Sequence, residues 1–150
     1  MMAKLLSLPA LLLVLGVSAR ADDKPADLDK LQGTWTAESV VYNGKDFYST
    51  GRAKLRFVVK GDQVTVEGND DVKQEYAKFT VKLDRTTMPR LLDIQITGGS
   101  QKDNSIEGIY EVKDDEWRIC ARINGNERPT EFKSEDGSSV VLVVLKREKP

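Results

Sequence analysis

The chain has 150 residues, with 23 basic and 24 acidic side chains, a formal net charge of −1, no histidine and one cysteine. This balance argues against nucleic acid or an anionic membrane as the principal partner, because both select basic surfaces. Without histidine, no Ser-His-Asp or Cys-His arrangement can be assembled within the chain, and Cys120 has no second cysteine for an internal disulfide.

Near the N-terminus, Lys4 precedes the apolar run LLSLPALLLVLGV (5–17), and SARA then sets Ala19 and Ala21 in the small-x-small pattern of a signal-peptidase site. The run is shorter than the roughly 20 apolar residues that span a bilayer. Residues 1–21 are therefore expected to be a removable export signal. No stable membrane span should remain after cleavage, and the destination should be periplasm, cell envelope or extracellular space. Residues 22–30, DDKPADLDK, read as a polar leader with at most one short helical turn. Residues 31–150 are long enough for one domain with one core.

From Leu31 onward, the segments between turn signals alternate apolar and polar with period two. TWTAESVVY (34–42) closes at Asn43-Gly44, a dipeptide suited to the positive φ angles of a tight turn. AKLRFVVK (53–60) and QVTVEG (63–68) flank Gly61-Asp62 as a hairpin. A polar loop around GNDD (68–71) precedes EYAKFTVKL (75–83), and RLLDIQIT (90–97) follows Pro89. GGSQKDN (98–104) leads into SIEGIYEV (105–112), which Asp114-Asp115 turns into EWRICARI (116–123). After NGNERPTEF (124–132) comes the last strand, SSVVLVVLKRE (138–148). About eight closely spaced strands define an all-β fold, a sandwich or an antiparallel up-and-down barrel. Closure into a barrel would leave no free strand edge.

The alternation also sorts side chains by face. Leu55, Phe57 and Val59 share one, as do Val64 and Val66, Phe79, Val81 and Leu83, and Trp117, Ile119, Ala121 and Ile123. The first strand should contribute Trp35, Ala37, Ser39 and Val41. All of these faces exclude charge and can form one dry interior. The last strand is apolar on both faces from Val140 to Leu145, so it should pack on its outer side as well. Cys120 reads as a small buried strand residue.

Gly33-x-Trp35 opens the first strand. There the indole can plug a barrel end while the glycine lets the backbone pass close beneath it. LQGTW at the head of such a domain resembles the first motif of the lipocalins and other calycins. The ordered set LQGTW, VYNGK, FVVKGDQVTV, GIYEV, RIC, ERPTEF and VLVVLKRE covers nearly all of residues 31–148. It is similar to an uncharacterised lipocalin-like secreted domain family abundant in planctomycete bacteria. The resemblance implies a lipocalin-like barrel and carries over no activity. It also implies an arginine over the motif tryptophan, with Arg147 the first candidate and Arg128 the second; neither lies in a clear copy of the later lipocalin motifs.

The acidic clusters NDD (69–71) and DDE (114–116) fall at turns and lack the spaced oxygen ligands of a calcium loop, so they read as solvated turns. Arg128, held extended before Pro129, sits in a loop that could cover a barrel end and receive a carboxylate or phosphate. The alternative is an internal ion pair with Glu127 or Glu131, or stacking on an aromatic ring.

Two functions fit this inventory. In the first, a small apolar or amphipathic ligand is held among Leu55, Phe57, Val59, Val64, Val66, Phe79, Val81, Tyr110 and Ile119, with Trp35 at the closed end. In the second, Trp35, Phe57, Phe79, Tyr110 and Trp117 fill the barrel, making a structural or protein-interaction module of the cell envelope with Tyr42, Phe47 and Tyr48 as its contact patch. No enzyme, metal or cofactor is expected; the loop carboxylates Asp70, Asp71, Asp114 and Glu116 are the residual catalytic candidates.

Overall fold

The computed structural model describes residues 26–47, 55–125 and 127–149; the expected export signal, Tyr48, Lys54 and Asn126 lie outside them. Among the described residues nine strands follow in order: β1 (Gly33–Tyr42), β2 (Lys45–Asp46), β3 (Arg56–Lys60), β4 (Gln63–Glu67), β5 (Lys78–Asp84), β6 (Arg90–Gly98), β7 (Ser105–Lys113), β8 (Glu116–Arg122) and β9 (Val140–Arg147). From β3 to β9 each strand pairs antiparallel with the next. β1 pairs with β3 through Gly33–Thr36 and with β9 through Trp35–Tyr42. Eight strands thereby close an antiparallel up-and-down barrel, and the two-residue β2 folds back on the end of β1. The all-β barrel expected from the period-two pattern is the fold observed.

The two ends differ. At one, helix α1 (Ala26–Leu31) lies with the tight β3–β4 and β7–β8 turns; at the other, helix α2 (Asp70–Glu75) stands beside the β6–β7 and β8–β9 connections. Residues 26–30, expected in the leader, therefore belong to the folded unit. Leu31 and Asp27 are both buried, at 0% and 1% exposure. α2 replaces the polar loop expected around GNDD, and β5 starts at Lys78 instead of Glu75. The reason is local: Asn69 adopts extended geometry at the helix N-cap, and its Oδ1 accepts from Val72 N at 3.1 Å, ahead of an acidic first turn.

A β-bulge at Glu38 corrects the facing of the first strand. Ala37 pairs with Leu145 but Ser39 with Val144, so the alternation skips one residue. Beyond the bulge Val40 and Tyr42, instead of Ser39 and Val41, face the interior.

Inside the barrel the strand faces merge into one core running from Leu31 and Trp35 to Val143 and Leu145. A second cluster, Ile109, Cys120 and Val140 with Leu91, Phe132 and Leu142, lies on the outer wall. It is covered by a strap, residues 127–139, that runs across β6 to β9. Arg128 reaches the Leu92 and Gly108 carbonyls at 3.3 and 2.9 Å, and the Cys120 thiol donates to Glu131 O at 3.3 Å. Ser134 Oγ donates to Val140 O at 2.7 Å and accepts from Gly44 N at 3.0 Å. The strap is thus the outer packing that the two-sided β9 called for. It lies along the wall and not over a barrel end, because Leu91, Ile109 and Leu142 present apolar surface there.

Candidate functional site: an apolar cup above an aromatic floor

The closed end is built around Trp35. Its Nε1 donates to Leu31 O at 2.8 Å, which ties α1 beneath the first strand. The Arg147 guanidinium lies 4.3 Å from the centre of the Trp35 ring, donates to Gln32 O at 2.8 Å and also reaches Lys30 O. Arg147 is thus the arginine over the tryptophan. Gly33 takes φ +118°, and a side chain there would approach Arg147 Nη1 at 3.5 Å. The glycine is needed mainly for that backbone angle, which L residues rarely adopt.

Asp27 completes the plug. Its Oδ2 accepts from Tyr110 OH at 2.6 Å and from Arg90 Nη1 at 2.9 Å. Burial, then the Asp27 hydrogen bond and charge, push the Tyr110 phenol well above its usual range.

Above the plug, Trp117 meets Trp35 and Phe57 edge to face at 5.6 and 6.0 Å, and Phe57 meets Phe79 at 5.5 Å. Each such contact adds about 0.5–1.5 kcal/mol beyond burial. Trp117 Nε1 is buried without a hydrogen-bond acceptor and has these aromatic neighbours around it instead.

The remaining interior is hollow. A half-open cavity of about 950 Å³ rises from Phe57, Phe79 and Ile119 to the mouth at α2 and the adjoining loops. Its wall includes Val40, Leu55, Val66, Ile94, Ile96, Ile106, Val141 and Val143; its rim carries Tyr42, Phe47, Val72 and Tyr76 together with Asn69, Asp71, Glu75, Gln101, Asn104 and Asn124. α2 is fixed at the mouth by Ser100 N and Gln101 N, which donate to Gln74 O and Glu75 O at 2.9 and 3.0 Å. Burial, with Glu75 and Tyr42 adding, pushes the Tyr76 phenol up.

Of the nine expected lining residues, Leu55, Phe57, Val66, Phe79 and Ile119 line the cup. Val59, Val64, Val81 and Tyr110 are buried in the same core but outside the cup's lining. Alternation fixes which face a side chain takes, whereas its height along the barrel follows from register: Val59 pairs with Gly33 and Val64, beside α1. Ile94 and Ile96 carried the alternating signal in RLLDIQIT, but Val40 was hidden by the bulge and Val72 by the unforeseen helix.

Arg128 stands on the outer wall, with Nη2 2.8 Å from Asp93 and 3.5 Å from Glu107. Its ion pairs are with these two carboxylates, not Glu127 or Glu131. The acidic clusters lie at opposite ends: Asp70 and Asp71 open α2, whereas Asp115 pairs with Arg147 and Lys149, and Glu116 with Lys146, beside the plug.

The class that this geometry defines is a closed eight-stranded antiparallel barrel, plugged at one end and cupped at the other. Comparison with protein-family models, curated proteins and solved structures finds no match for the chain.

Proposed function

We propose that the barrel is an exported, lipocalin-like carrier that binds one small apolar or amphipathic molecule in its cup. The observation that carries this reading is the half-open cavity of about 950 Å³, walled by aliphatic side chains and floored by Phe57 and Phe79. Apolar pockets of roughly 300–1,000 Å³ are the size that small-molecule sites take, and an eight-stranded barrel is just wide enough either to fill or to hold one such ligand. The filled-barrel alternative matches only the lower half, where Trp35, Trp117 and Tyr110 close the space. The reading is of a binder and not a catalyst; it is supported by the apolar lining and by the carboxylate clusters standing at opposite ends. Kinship with the lipocalin-like secreted domains rests on the ordered motifs and on Arg147 over Trp35.

The test is uptake of a neutral fluorescent lipophile by the purified protein. Saturable uptake that Phe79→Asp abolishes, while the outward-facing Glu111→Gln leaves it intact, is the expected result. A wild-type protein that takes up neither the probe nor any component of a lipid mixture would overturn the reading. Export is tested separately by the N-terminal sequence of the protein recovered from its host, which should begin at Asp22.

A further inference from the structure

Taking the cup as the ligand site proposed above, we infer that it selects for a ring: its floor favours a ligand whose deep end is aromatic over one of similar size whose deep end is saturated. Among the described residues, Tyr42, Phe47, Phe57, Tyr76 and Phe79 line the cup, which is half of all the aromatic side chains in the chain. They stand in two storeys. Phe57 and Phe79 form the floor and Tyr42, Phe47 and Tyr76 the rim, and the wall between them is aliphatic. The floor follows from strand register. Phe57 pairs with Val66 and Phe79 with Val64, so the two rings are neighbours across the valines of β4. Their centres are 5.5 Å apart with the planes at 83°, and Trp117 holds Phe57 from the plug side at 6.0 Å and 70°.

Two rings attract each other beyond the area they bury, because the negative face of one meets the positive edge of the other. A saturated group lacks that charge pattern and gains burial alone. Phe57 is packed between Trp117 and Phe79, so its orientation is set before a ligand arrives and binding bears little ordering cost there. A phenyl group lowered onto the floor meets both phenylalanines. Each ring contact raises affinity by about two- to tenfold, so the floor as a whole should favour the aromatic ligand by about tenfold. The aliphatic wall takes either ligand alike, which leaves the discrimination to Phe57 and Phe79.

The experiment displaces a neutral reporter, N-phenyl-1-naphthylamine, from the full chain with two primary alcohols, phenylhexanol and cyclohexylhexanol, each with ring and hydroxyl at opposite ends of one alkyl chain. Both are uncharged, so charges near the mouth act on them alike. Partition of each from water into hexadecane is measured and divided out. The corrected affinity of phenylhexanol is expected to be about tenfold the higher. Phe79→Leu, which keeps the floor apolar but removes a ring, should cut that ratio at least threefold, whereas Phe132→Leu on the outer wall should leave it unchanged. A readout without substitution is the nuclear Overhauser effect in wild type: ring protons of bound phenylhexanol should contact the Phe57 and Phe79 rings. Equal corrected affinities, a ratio that survives Phe79→Leu, or contacts to those rings from the hydroxyl end would overturn the ring selection while the carrier reading stands. A protein that never takes up the reporter overturns both.

Discussion

Replacing Asp27 by alanine tests whether the segment before the first strand is a tether or a structural plug. The carboxylate is 2% exposed and accepts a 2.6 Å hydrogen bond from Tyr110, itself 1% exposed. A hydrogen bond to a charged group contributes about 1.5–3 kcal/mol, and a buried hydroxyl left without a partner costs about 1–3 kcal/mol. The Arg90 pair adds little because that guanidinium is 34% exposed, and Lys30, at 3.8 Å and 58% exposed, adds less. The expected loss is about 3 kcal/mol, which for a domain of this size lowers the melting temperature by about 10 °C. Equilibrium urea unfolding of wild type, Asp27→Ala, Tyr110→Phe and the double variant gives the answer. Because the two groups satisfy each other, the double variant should fall short of the summed losses by about 1.5 kcal/mol. A loss below about 1 kcal/mol for Asp27→Ala, or simple additivity, would refute the plug.

Three further outcomes are expected. The Tyr110 pKa is raised in the folded state, so above about pH 10 the unfolded chain loses this proton while the folded one keeps it; stability contributed below that pH should be lost as pH rises, at up to about 1.4 kcal/mol per unit. Denaturation midpoints across that range should fall more steeply for wild type than for Tyr110→Phe. Phe132→Ala, which strips the ring from the outer cluster and from Arg118 at 4.8 Å, should cost about 1–2 kcal/mol. It should also speed labelling of Cys120 by a thiol reagent at least tenfold, since burial under the strap pushes that thiol's pKa up; an unchanged rate would show that the strap does not shield it. Gly44→Ala should lower the thermal midpoint more than Gly61→Ala, because both positions have positive φ but a Cβ at 44 would lie 2.6 Å from Asp136 N, whereas 61 faces open space. Equal losses would mean that the strap yields.

The barrel itself was legible because period-two alternation is a direct projection of the pleat: Leu55, Phe57 and Val59, or Trp117, Ile119 and Ala121, need no tertiary information to be placed on one face. Trp35 and Arg147 could likewise be paired through the motif that opens the first strand. Most of what remained hidden depends on offsets between distant segments. The bulge at Glu38 is defined only by how β1 meets β9. Whether Val64 lies beside the plug or in the cup depends on register, and the destination of Arg128 depends on where the strap runs. Asn69 before two aspartates was a readable helix start, but a six-residue helix leaves too short a period to register beside strong strand signals. Asp27 looked like one more polar leader residue; only the arrival of Tyr110 and Arg90 makes it interior.

The seam between β1 and β9 has a consequence for when this protein can fold. It joins positions far apart in the chain, Thr36 to Glu148 across 112 residues, and, counted across its bulge, it is the longest pairing that β1 makes. Loop-closure entropy over such a distance must be met before the pairing returns any stability, which places closure late and makes it slow. A growing chain on the ribosome can form its hairpins from β3 onward, but until β9 has emerged it carries two raw strand edges and an open core. Closure of the barrel is thus withheld until β9 has left the ribosome, and throughout that interval the strands already made form an open sheet with an uncovered core.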